Sequence, residues 1–209
     1  MPAVSAVARL ALVLSLVALV SGCSRGSGSS PTATGNVDES LSPTPSQQEG
    51  PYYPVTKPAD RDSDLTTIDG AAGLAGGQVL VIGGTLTDTT GLPIEDALIE
   101  IWQTDQNGVY LHPSDPAVDD RDTDFQGYGE SLTDTDGAWG FRTINPGYYE
   151  PRPRHIHVKV LVDDVVVLTT QIYFSDDPDS AGIDPALVAS VETDADGTLT
   201  ANQSLVVTI

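Results

Sequence analysis

The stretch from Arg154 to Phe174, RHIHVKVLVDDVVVLTTQIYF, constrains the fold more tightly than any other part of this chain. It is dense in β-branched residues and is broken once, at Asp163-Asp164. It therefore reads as two strands, His155 to Val162 and Val165 to Phe174, joined by a tight turn. Successive side chains of a strand leave from opposite faces. His155 and His157 project side by side, with Ile156 and Val158 on the other face. Such a strand presents an apolar face for a core and a second face with chemistry on it.

Strand signals dominate the chain from residue 78 onward. Gln78 to Asp88 is β-branched and ends at Thr-Thr-Gly. Ala97 to Gln103 alternates, with Leu98, Glu100 and Trp102 against Ile99 and Ile101. Gly129 to Thr133 and Ala138 to Thr143 flank Asp134-Thr135-Asp136-Gly137, a hairpin signal. Thr198 to Ile209 is predicted as one last strand. The helical signal is Asp184 before Pro185, an N-cap followed by proline at the first helical position, which predicts a short helix to about Ser190. Thr104 to Phe125 is long and rich in Asp, Pro and Gly, and loops of that length inside a compact domain are usually functional. It carries Tyr110 and His112. The Asp-rich runs at 119–124 and 192–196 lack EF-hand spacing and read as solvated turns. Together these signals predict an all-β class, an antiparallel β-sandwich with long loops and little helix.

The N-terminal region reads differently. Arg9 precedes an apolar run, Leu10 to Val20, of signal-peptide length and too short to span a bilayer. The run ends in Val20-Ser21-Gly22-Cys23, which resembles a bacterial lipobox with lipidation at Cys23. Cys23 is the only cysteine, so an intrachain disulfide is excluded. The predicted division is a lipoprotein signal peptide over 1–22, a flexible Ser/Gly/Thr/Pro tether over 23–44 and a β-sandwich over 45–209. Two acyl chains suffice for stable anchoring, so the expected location is the extracellular face of the cell membrane. The formal net charge of −21 repels phosphate backbones and argues against nucleic-acid partners.

The residues that carry chemistry gather in NPGYYEPRPRHIH, Asn145 to His157. Pro-Gly and two further prolines make its first part a loop that delivers two phenols ahead of the two imidazoles. Histidines alone fit zinc or copper as well as any other metal. A free phenol, with a pKa near ~10, is protonated at pH 7, but a trivalent cation favours its phenolate form. Phenolate is a hard anionic ligand, and phenolates with imidazoles suit Fe(3+) better than Zn(II) or Cu(I).

Five pieces then follow one another in family order: EGPYY (Glu49–Tyr53), GLPIEDALIEIWQTDQNGVY (Gly91–Tyr110), FQGYGESLTDTDGAWGFRTINPGYY (Phe125–Tyr149), RPRHIH (Arg152–His157) and TQIYF (Thr170–Phe174). In them the chain resembles the intradiol ring-cleavage dioxygenases, the family of protocatechuate 3,4-dioxygenase and catechol 1,2-dioxygenase. The resemblance implies a non-haem Fe(3+) held by Tyr110, Tyr149, His155 and His157. It places Arg152 and Gln171 along the substrate and makes Tyr149 the ligand that leaves the metal to take up a substrate proton. Tyr148 is then a neighbour that packs or lines the pocket, His112 a surface or loop imidazole with a pocket-lining role as the second reading, and Trp102 a core anchor. Gln103 is a hydrogen-bond partner behind the metal, and Tyr52 and Tyr53 either line the pocket mouth or pack.

The implied reaction cleaves a catechol between its two hydroxylated carbons with O2, giving a cis,cis-muconate-type diacid without an external reductant. The implied partners are a catechol-type small molecule, O2 and, through the lipid, a membrane; one chain leaves the oligomeric state open. Arg154 or Lys57 could meet a carboxylate on the substrate. A competing reading is a non-catalytic extracellular module of the transthyretin-like type, which shares the strand–turn–strand of Gly84 to Ile101 but has no use for two tyrosines and His-x-His.

Overall fold

The computed structural model describes residues 40–209. The predicted signal segment 1–22 and Cys23 lie outside the described residues. Among the described residues no helix is long and apolar enough to cross a membrane.

The hairpin read from the sequence is present as β5 (His155–Val162) and β6 (Val165–Phe174). Asp163 and Asp164 turn it, both at positive φ. On the far side of β5 lies β2 (Leu98–Trp102), and next to that β3 (Tyr128–Leu132), all antiparallel. The other strands are β1 (Val79–Asp88), β4 (Ala138–Ile144), β7 (Val188–Thr193), β8 (Leu199–Asn202) and β9 (Leu205–Val207). The sheet order is β3-β2-β5-β6-β7-β8-β1-β4, with β9 beside β1.

The sheet is mixed where the sequence predicts antiparallel pairing. β6–β7, β1–β8 and β1–β9 are parallel. The predicted last strand is two, β8 and β9, split at Gln203-Ser204. There the chain crosses hard against Gly84, where an added Cβ would lie 2.0 Å from the Gln203 carbonyl oxygen. The predicted helix is also shorter. Asp184 does cap, accepting from Ala186 N at 3.0 Å, but only Pro185–Leu187 forms a 3-10 turn. Beyond it Leu187 and Ala189 are buried with a period of two, and Val188 and Ala189 pair with Tyr173 and Phe174.

Strand alternation places the core. Leu80, Ile82 and Leu86 of β1, Ile99 and Ile101 of β2, and Ile156, Val158 and Val160 of β5 meet in one apolar cluster with Phe141, Ile172 and Leu205. Burying each such side chain stabilises the fold by about 1.5–3 kcal/mol relative to exposure. The opposite face of β2, β5 and β6 is buried as well, although it carries Glu100, His155, His157, Lys159 and Gln171. Residues 44–49 run beside the length of β6 that β7 leaves free. Gln47 N donates to Thr169 O at 2.9 Å, the Thr170 hydroxyl donates to Pro45 O, and Gln171 Nε2 donates to Gln48 O. Docking begins within the segment assigned to the tether, because Thr44 N donates to Val206 O and its hydroxyl accepts from Val206 N, each at 2.9 Å.

Asp177 fixes the entry to β5. Its buried carboxylate accepts from Arg154 N at 2.8 Å, from Asp179 N at 3.0 Å and from the Tyr148 hydroxyl at 3.2 Å. Burial works against the charge, but these donors and the Arg154 side chain outweigh it and hold the carboxyl below its usual range. Its stabilising effect is thus present above the unfolded value, about pH 4, and is lost as pH falls through the depressed folded value. Asp177→Asn is expected to cost about 2 kcal/mol at neutral pH, with the difference from wild type shrinking below about pH 4. Urea melts at the two pH values check this; a difference independent of pH would show that the charge is not the source.

Candidate metal centre

Two loops bring the phenols to β5. The first follows β2 and turns at Gly108, where a Cβ would lie 2.1 Å from the Tyr148 carbonyl oxygen. Tyr110 N then donates to Asp115 Oδ2 at 2.9 Å, which orients the tyrosine inward. The second loop, 145–152, is clasped to the first: Gly147 N donates to Asp105 O, and the Thr104 hydroxyl donates to Gly147 O, each at 2.9 Å. The clasp sets the Tyr110 and Tyr149 rings edge to face, 5.6 Å between centroids.

The Tyr110 hydroxyl lies 3.1 Å from Nε2 of His155 and 3.1 Å from Nε2 of His157, and the two nitrogens are 3.2 Å apart. His155 Nδ1 donates to the Pro153 carbonyl at 2.7 Å, so its Nε2 carries a lone pair toward the other two atoms. Burial lowers both histidines. For His157 burial first, then His155 and Arg152, bring the value down to about 2. Neutral imidazoles are the ligand form. Burial pushes the Tyr110 phenol up, so a phenolate there requires a cation at the centre. Atoms bound at about 2.1 Å to one small ion, at right angles, sit about 3 Å apart, the size of this triangle. Among the described residues no group of three His, Cys, Asp or Glu comes together. A metal here therefore depends on the phenols, and the imidazole–phenolate set fits Fe(3+).

Tyr149 stands beside the triangle. Its half-buried hydroxyl is 2.9 Å from that of Tyr52, whose ring stacks on Tyr110 at 4.8 Å. The bond to Tyr149, then burial, pushes the Tyr52 phenol up to about 12. Tyr148 leaves in the other direction, 47% exposed, with its hydroxyl donating to Asp177. Arg152 Nη2 donates to Gln171 Oε1 at 2.7 Å and to the Tyr173 hydroxyl at 2.9 Å, which fixes the guanidinium at the site.

Other expected residues fall elsewhere. His112 is not a surface imidazole: it is 7% exposed, with its ring 5.5 Å from Tyr52. Gln103 donates to Thr104 O and Ile144 O and accepts from Thr143, tying loop ends rather than backing a histidine. Lys57 is paired with Glu100 and Glu130, and Arg154 with Asp176 and Asp177.

Trp102 does more than anchor a core. Register places it opposite His157, and the two rings stack flat at 4.7 Å and 8°. Among the described residues His157 Nδ1 has no hydrogen-bond partner. A metal-binding histidine is ordinarily oriented by a bond from its second nitrogen. Here the orienting groups are Trp102 on one side and the bare backbone of Gly50, whose Cβ would lie 3.3 Å from His157 Cε1. The alternation of β2 puts Trp102 on the Glu100 face, but the pairing with His157 is non-local.

Residues 48–208 match the family model described as Dioxygenase. The protocatechuate 3,4-dioxygenase beta chain of Burkholderia cepacia is 35% identical over 139 residues, 63% of this chain and 59% of that one. Catechol 1,2-dioxygenase of Acinetobacter baylyi is 32% identical over 153 residues, 65% of this chain and 47% of that one. The chain thus spans about half the length of the curated relatives it matches. Among solved structures, the dioxygenase domain of a dioxygenase carbohydrate-binding protein fusion from the cellulolytic bacterium Streptomyces sp. SirexAA-E is similar at TM-score 0.63 and 32% identity, covering 80% of this chain and 99% of that one.

Trp102→Leu is expected to weaken metal retention about tenfold in a chelator competition, whereas Trp102→Phe, which keeps a flat ring, retains it. Equal retention by both variants would mean that stacking does not orient His157.

Proposed function

The chain belongs to the intradiol dioxygenase family, and from that premise we propose that it is an extracellular, lipid-anchored non-haem Fe(3+) enzyme cleaving catechol-type aromatics with O2. The observation that carries the reading is the triangle of Tyr110, His155 and His157 with Tyr149 and Arg152 at its edge. Tyr110, Tyr149, His155 and His157 would hold the metal. Bound there, Fe(3+) supplies the Lewis acidity that lets a catechol bind as a dianion at neutral pH and react with O2.

The chain's own residues do the rest. Among the described residues the Tyr149 hydroxyl is bonded only to that of Tyr52, so its oxygen is free to exchange a proton with an incoming catechol hydroxyl. Arg152, held by Gln171 and Tyr173, stabilises the negative charge that develops on the ring. Burial of His155, His157 and Tyr110 keeps water from the site and strengthens this interaction. The ring opens between the two hydroxylated carbons, both atoms of O2 enter the product, and the product is a cis,cis-muconate-type diacid; the electrons balance without a further reductant. Arg9, the run Leu10 to Val20 and Cys23 support the lipid-anchored location.

Purified protein is expected to contain iron, to be reddish and to consume O2 only with a catechol present. A binding module of the transthyretin-like type would do none of these. Tyr149→Phe should change the colour and cut turnover at least ~100-fold, while Tyr148→Phe leaves both near wild type; equal effects would overturn the assignment of Tyr149. Arg152→Ala should keep iron and colour and slow turnover about 100-fold, and normal turnover would remove Arg152 from the mechanism.

A further inference from the structure

One cavity has a lining out of keeping with the rest of the molecule. It lies between residues 55–59 and 111–121 and has a volume of 760 Å³, within the range of small-molecule sites. Val55, Pro58, Leu111, Pro113 and Val118 form apolar walls. Its titratable lining groups are Lys57, His112 and Arg121, with no carboxylate. The chain has 30 Asp and Glu against 9 Lys and Arg, so a lining drawn wholly from the minority is a local reversal of the molecule's charge.

The three groups differ in what they can offer. Lys57 already serves Glu100 and Glu130. Arg121 is in no ion pair among the described residues. His112 Nδ1 accepts from Ser114 N at 3.1 Å, so the neutral ring carries its proton on Nε2, leaving that N–H as a donor. A second lobe of 470 Å³ continues past Pro58, Leu111 and Arg121, but it is lined by Asp60 and Asp69, which disfavour an anion there. The basic lobe is also the one next to the metal centre. Leu111 follows Tyr110 directly, and the His112 ring packs 5.5 Å from Tyr52, which itself stacks on Tyr110.

We propose that this cavity binds a carboxylate-ended side arm of the substrate, with Arg121 and His112 as the anion donors and the Val55–Leu111–Val118 walls around the arm. The substrate class is then a catechol with an apolar arm of a few atoms ending in a carboxylate, which rests on the ring-cleavage reading above. Arg121 and His112 replace Lys57 and Arg154, both of which are engaged by carboxylates of the protein.

The test has two arms. In the first, O2 uptake by iron-loaded protein gives kcat/KM for 3-(3,4-dihydroxyphenyl)propionate and for 4-methylcatechol. Wild type should favour the acid, the ratio should fall about tenfold in Arg121→Gln, and Arg121→Lys should recover part of it. In the second, calorimetry on metal-free protein compares 3-phenylpropionate with its neutral amide. The acid should bind about tenfold more tightly, and Arg121→Gln should abolish the difference. Failure to turn over either catechol would sink the ring-cleavage reading, leaving the second arm to decide the cavity. Equal binding of acid and amide, or a preference that survives Arg121→Gln, would overturn the anion site.

Discussion

β5 is buried on both faces, and only one of them is apolar. Ile156, Val158 and Val160 need nothing but a core. His155, His157 and Lys159 sit in equally dry surroundings and must be satisfied there, because an unpaired buried polar group costs far more than a paired one contributes. Lys159 meets Glu49 at 2.7 Å and lies 3.3 Å above the Tyr53 ring. Across the strand pair, Glu100 accepts from Tyr53 and Lys57. His155 uses one nitrogen on Pro153. Two imidazole nitrogens and one phenol are left with only one another for partners, and that cluster is where the proposed metal would bind.

The electrostatics follow from the same burial. A chain this acidic nonetheless has no carboxylate in the Tyr110–His155–His157 triangle, and the Arg152 guanidinium acts on both Tyr110 and His157. Neutral imidazoles with two phenolates would leave the proposed trivalent ion with residual positive charge, which would favour an anionic substrate. A carboxylate ligand would reduce that charge. The cavity beside Leu111 extends the preference outward, with basic groups gathered where the rest of the surface is acidic.

Much of this was legible in the sequence where the signal is local. Period-two alternation separated Leu98, Glu100 and Trp102 from Ile99 and Ile101, and His155 and His157 from Ile156 and Val158. The Asp-Asp turn marked its hairpin, but the hairpin expected at Asp136-Gly137 does not form: that turn joins β3 to β4, which pair with β2 and β1 rather than with each other. What stayed hidden is pairing between distant segments, on which no local pattern reports. The parallel neighbours of β1, the stack of Trp102 on His157 and the capture of Lys57 by Glu100 each join residues far apart in the chain. His112 lies in a loop as its sequence context indicates, but a histidine in a polar loop reads as exposed until Tyr52 arrives from another segment to cover it.

Tyr52 belongs to a short strap, Glu49 to Tyr53, that contacts His157, Tyr110, Tyr149 and Trp102. Glu49 holds Lys159, Gly50 lies against His157, Tyr52 contacts Tyr110 and Tyr149, and Tyr53 packs on Trp102. A group that binds only the docked arrangement stabilises it by mass action, so metal occupancy and strap docking must be linked. The linkage is reciprocal: whatever loosens the strap lowers metal affinity by the same factor that metal loss loosens the strap. The chain reaches the strap from residues that are already docked, since Thr44 pairs with Val206 and Gln47 with Thr169, so a change in the strap acts on the proposed metal site from within the folded domain.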